Sequence, residues 1–220
     1  MADTAQRSMH NQQKHNKERS HAQSYGKVWL FFVYYWIIFG IGCYLGQYLP
    51  DSWRQPLSFA LLALVLITLF VKRARKYGIV ISHIYTIVLG LLSYATFTYY
   101  LQSLGADVFY KNVALAIVAF IVFGLIGFFL IRDASSMGKY LFVTLIALII
   151  ASLVGIFIHN PILHTAIMVV GLLLFLLYTI YDFNRMKRGA YNARELGFNL
   201  FLNLIHIIKY VLRIADRLRK

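Results

Sequence analysis

Asp182 is the residue whose type and setting most invite chemistry. It lies in Tyr181-Asp182-Phe183-Asn184-Arg185, at the end of a long apolar run, and is the only acid within the first six such runs. An ionisable group at bilayer depth is costly, about 2.5–3.5 kcal/mol at a helix centre and less near an end, so it is a functional candidate by default. Two readings stand side by side. Asp182 is an interfacial acid paired with Arg185 or Lys72 and closes its helix, or it is a buried carboxylate whose protonation opens or closes a path. A second signal lies further on. Asn199, Asn203, His206, Tyr210 and Arg213 recur at steps of four, three, four and three. That spacing puts them on one helix face. The stripe reads either as hydrogen-bond glue between helices, worth about 0.6–2 kcal/mol per bond, or as the wall of a water-lined path.

The elements that would position these residues are membrane spans. The chain has 220 residues, is 60% hydrophobic and only 14% charged, where a soluble domain carries about 25% charged residues. Val28 to Leu49 contains no charge, and about 20 apolar residues suffice to cross the hydrocarbon as a helix. Spans are expected at 28–49, 55–71, 79–101, 113–131, 140–158, 162–184 and 196–216. The fold class is therefore all-α, a polytopic membrane bundle of seven helices over residues 28–220. Spans two and five are short and fit a steep or partly interfacial placement. Residues 1–27 are polar, carry five Lys/Arg, and read as a disordered basic tail.

Charge gives the orientation. Lys and Arg gather in the tail, after span two (Lys72, Arg73, Arg75, Lys76), after span four (Arg132, Lys139) and after span six (Arg185, Lys187, Arg188, Arg194). The opposite loops hold Arg54 and Lys111. This bias predicts a cell-membrane protein with a cytoplasmic N-terminus. The last segment breaks the rule, because Lys209, Arg213, Arg217, Arg219 and Lys220 would move outward if it crossed. Either it is a seventh span, or it is an amphipathic helix on the cytoplasmic surface, its cations among anionic lipids.

Other chemistry is thinly represented. The net charge of +14 would suggest nucleic acid in a soluble protein. Here the charges sit where topology puts them, so no nucleic-acid partner is expected. Cys43 is the single cysteine and reads as a small packing residue. The histidines lack metal-ligand spacing, and no hydrolase, metalloprotease or phosphate-loop signature occurs. No enzyme activity, cofactor or metal site is expected. Gly42-Cys43-Tyr44-Leu45-Gly46 forms a GxxxG, and Gly124 and Gly127 lie on span four; such glycines let helices approach closely.

Span six runs Gly171-Leu-Leu-Leu-Phe175-Leu-Leu-Tyr178-Thr-Ile-Tyr181-Asp182. It resembles the signature of the Bax inhibitor (transmembrane Bax inhibitor motif) family, whose apolar run ends in Tyr-Asp. Ala151 to Phe157 is similar to that family's fifth span. Gly197 to His206 resembles its closing Leu-Asn-Leu-Tyr-Leu-Asp-x-x-Asn pattern. The resemblance extends over residues 28–216 in layout and is most specific from residue 140 onward. It implies a seven-helix bundle with the last helix central. For bacterial members it implies a pH-sensitive leak of calcium or another cation; other members are described as regulators that bind membrane proteins. The family's functional pair is two aspartates near a basic residue from the end of span two. Asp182 matches the first aspartate. Asn203 stands where the second is expected, His206 at the following Asn, and Lys72 or Arg73 near the basic partner. Asn203 cannot titrate, so the coupling of two close carboxylates is absent.

Overall fold

The computed structural model describes residues 25–70, 78–158, 160–189 and 191–219, which form seven helices and no strand. In chain order these are α1 (Tyr25–Gly46), α2 (Asp51–Phe70), α3 (Gly78–Leu104), α4 (Ala106–Leu125), α5 (Met137–Phe157), α6 (Pro161–Arg188) and α7 (Ala193–Arg219). A π turn, Ile126–Leu130, continues α4. All but α2 are long and apolar enough to cross a membrane. At 1.5 Å per residue, the 20 residues of α2 reach about 30 Å. Its first turns, however, hold Asp51, Arg54 and Pro56, with Arg54 paired to Asp51 at 2.7 Å.

The helices overrun the apolar stretches that define them, because polar residues continue or cap their ends. Asn160 accepts hydrogen bonds from the N–H groups of Ile162 and Leu163, and Pro161 opens α6; Gly189, at φ 70°, closes it. Asn192 likewise accepts from Arg194 and Glu195 N–H at the start of α7. Two boundaries differ from expectation. The first helix begins at Tyr25, inside the expected tail. Helix α4 begins at Ala106, so Lys111 is a helical residue paired with Asp107 at 2.8 Å rather than a loop cation. That i,i+4 pair extends the helix below its apolar stretch.

Helix α7 is the axis of the bundle. Phe201 and Ile205 pack on Tyr35 and Phe39 of α1 and Leu89 of α3. Leu200, Leu204, Ile207 and Leu212 pack with Phe120 of α4 and with Phe175 and Phe183 of α6. Its two ends lie at opposite ends of the bundle: Gly197 abuts Val28 and Phe31 of α1, whereas Asp216 meets Ser103 at the end of α3 and Arg217 donates to the Pro161 carbonyl at the start of α6. A helix lying on the membrane surface could not make both sets of contacts, so that alternative is set aside.

Small residues set the tightest helix spacings. A Cβ at Gly42 would stand 2.6 Å from the Ile87 carbonyl of α3, and one at Gly46 2.5 Å from the Leu91 carbonyl. Gly127 lies directly against the Ile180 backbone of α6. The outer surface is apolar, with Leu30, Ile37, Leu130, Phe157 and Ile162 fully turned outward. In water such a surface would be unsustainable; against acyl chains it is ordinary. Exposed Trp29 and Tyr140 mark one end of the bundle, Tyr48, Trp53 and Tyr110 the other, as at a bilayer's two interfaces.

Candidate functional site

Asp182 is buried, 2% exposed, on the last two turns of α6. It is not left unpaired. Asn203 of α7 donates to its Oδ2 from Nδ2 at 2.9 Å. The Arg185 guanidinium, one turn on along α6, lies 3.6 Å from its Oδ1. Asn199, one turn earlier on α7, flanks the same carboxylate. Arg185 also reaches Glu195 in the first turn of α7, at 4.0 Å, and covers the Tyr181 ring. An amide, a guanidinium and a carboxylate thus tie the ends of α6 and α7 together. Glu195 is well placed at a helix N-terminus, where partial positive charge gathers.

The expected stripe on α7 is real as a face, and it faces α6. Its members do different things. Asn199 and Asn203 meet Asp182. His206 stacks on Phe175, ring centroids 4.2 Å apart, and its Nδ1–H donates to the Leu202 carbonyl at 2.7 Å. The ring is therefore turned away from Asp182. Tyr210 fills the space above Gly171, where a Cβ would collide with its ring. Arg213 lies over Tyr210. Rings, rather than a continuous polar wall, occupy the middle of the α6–α7 seam. Lys72 and Arg73, expected beside Asp182, lie outside the described residues.

Three residues have roles that sequence reasoning did not assign. Asn184 is fully buried. It accepts from Ala134 N–H at 2.9 Å and donates to the carbonyls of Ile131 (2.7 Å) and Gly127 (3.2 Å). One side chain thereby satisfies the orphan groups at the end of α4 and fixes the α4–α5 loop. Its only signal was position, two residues after Asp182. Asp133 in that loop accepts from Ser135 N–H at 2.8 Å and pairs with Arg188 at 3.0 Å. The Ser135 hydrogen bonds, aided by Arg188, hold its carboxyl below the usual carboxylate range. Asp216 is a second buried acid, 8% exposed, bonded by the hydroxyls of Ser103 and Tyr99. It was hidden in a basic stretch. No buried side-chain nitrogen or oxygen lacks a partner among the described residues. No group of three or more His, Cys, Asp or Glu is placed there to hold a metal ion.

A bundle with a lipid-facing exterior and a central last helix defines a polytopic helical membrane protein. Comparison with known proteins gives its kinship. The family model described as inhibitor of apoptosis-promoting Bax1 matches residues 21–220. The chain belongs to that family. It is 27% identical over 177 residues to the inner membrane protein YbhL of Escherichia coli, covering 74% of each chain. It is 30% identical to an uncharacterized protein of Caulobacter vibrioides, covering 70% of this chain and 66% of that one. An uncharacterized protein of Helicobacter pylori is 31% identical over 98 residues, 43% of each chain. The chain thus spans less than half of the Helicobacter relative's length.

Proposed function

We propose that this protein is a passive leak pathway for calcium or another cation, with its gate at the Asp182–Asn203 contact. One observation carries the reading: a buried carboxylate joins the two most intimately packed helices, held among the described residues by one cation and two amides. Protonation removes the attraction of Arg185 and the negative acceptor that Asn203 uses. The α6–α7 end is then free to part, so flux rises as pH falls. With the cationic loops inside, the gate faces the cytoplasm of a cell membrane.

The test is ion flux into proteoliposomes between about pH 5 and 8. The intact protein should pass more cation at the acid end. Asp182→Asn, which cannot change charge, should leave flux independent of pH. Equal flux in protein-free and protein-loaded vesicles over that whole range rules the leak out. Asn203, which replaces a titratable partner and a hard anionic ligand, favours a second reading. In it the protein conducts nothing and regulates another membrane protein, such as a membrane protease, through the basic tail. Crosslinking should then capture one stoichiometric partner, and deletion of residues 1–27 should weaken that capture.

A further inference from the structure

At the end of the bundle remote from Asp182, a cavity of about 840 Å³ opens between α5, α6 and α7. Its polar lining is Arg213, Arg217, Asp216, His164 and Ser152; Ile156, Ile167 and Met168 form the apolar wall. We propose that this cavity binds a phosphate-bearing anion, held by Arg213 and Arg217. Both guanidiniums come from one face of α7, four residues apart, so they converge on one volume. Arg213 stacks over Tyr210 and Arg217 gives one N–H to the Pro161 carbonyl. Neither arginine forms an ion pair with another described residue. Asp216 is turned toward α3, where hydroxyls bond it.

Charge topology gives independent support. These arginines sit at the end of the bundle opposite Arg132, Lys139, Arg185 and Arg188, where orientation rules disfavour them. A bound anion offsets that cost. A forked guanidinium matches phosphate geometry better than an ammonium does, and both cationic cavity-lining residues on α7 are arginines. The apolar wall suits the body of a phospholipid. Lipid headgroup and free phosphate share the same recognition chemistry, and the experiment separates them.

Purified protein in a zwitterionic detergent would be titrated with phosphatidylglycerol, phosphatidylcholine or inorganic phosphate, following the melting temperature and, by native mass spectrometry, the retained lipid. Phosphatidylglycerol should raise the melting temperature and remain bound, with phosphatidylcholine much weaker. An equal rise with inorganic phosphate would make the free ion the ligand. Arg213→Gln/Arg217→Gln should weaken binding about tenfold or more. Lys139→Gln, an exposed cation at the other end, should change nothing. If the double variant fails to fold, Arg213→Gln alone serves, since that side chain is exposed and lies over the Tyr210 ring. Retention unchanged in either variant, or equal binding of both lipids and no effect of phosphate, overturns the proposal.

Discussion

Two carboxylates are buried in this bundle, one near each end of α7, and they are held by different chemistry. Asp182 meets an amide and a guanidinium in a tightly packed seam. Asp216 meets two hydroxyls at the rim of a large cavity that two arginines also line. The difference lies in what each end can exchange with its surroundings. At Asp182 the described partners are side chains of α6 and α7, so a change in its charge bears on how those two helices pack. At Asp216 the neighbouring space is open and charged, so ions or headgroups can rearrange instead. On the proposals above, the first end couples charge to helix position and the second holds an anion.

The sharpest way to break this contrast is to give the Asp182 end a second carboxylate. In Asn203→Asp two acids would share one site at hydrogen-bond distance, and one must carry a proton. Stability in detergent should then fall as pH rises from about 5 to 8, by about 1–3 kcal/mol or more, because a buried charged group loses its donor. Thermal melts across that range would read it; a pH-independent melt would mean that the seam opens to water. Asn203→Leu removes the donor and leaves the acid in place, for a loss of about 1–3 kcal/mol at neutral pH. At the other end Asp216→Asn should cost less, about 1 kcal/mol, because an amide oxygen still accepts from Tyr99 or Ser103. A larger loss at Asp216 than at Asn203 would reverse the assignment of the two ends.

Much of the frame was legible from residue types alone. Long apolar runs marked all seven helices, the last of them broken by Lys209 and Arg213. The GxxxG of α1 and Gly127 meet neighbouring backbone, as such glycines predict, whereas Gly124 meets the Phe183 ring. The central position of α7 came from resemblance, because its own charges argued for the surface. Within the site, helical spacing put Asn199, Asn203 and His206 on one face. Periodicity cannot say what lies opposite, however, and the structure turns His206 onto Phe175. Asp216 escaped notice for an electrostatic reason. Among Arg213, Arg217, Arg219 and Lys220 an acid looks like a solvated counter-charge, and only tertiary packing brings Ser103 and Tyr99 to it. Asn184 escaped because its partners are backbone atoms about 50 residues away, which no side-chain pattern records.

The smallest expected effect falls on the loop beside the Asp182 end, and it isolates the source of any pH response. Asp133 and Asp182 both pair with arginines on the last turn of α6 or just before it, so either is a candidate for an acid-sensitive contact. Asp133 is the exposed one, and its carboxyl is held below the usual range by Ser135 and Arg188. A lowered folded-state value means that its contribution is present at neutral pH and is lost only as pH falls below the ordinary carboxylate range. Between about pH 5 and 8 its charge therefore does not change. Asp133→Asn should leave the pH dependence of flux intact and barely move the melting temperature. If flux in that variant lost its pH response, the α4–α5 loop rather than the α6–α7 seam would be the sensing element.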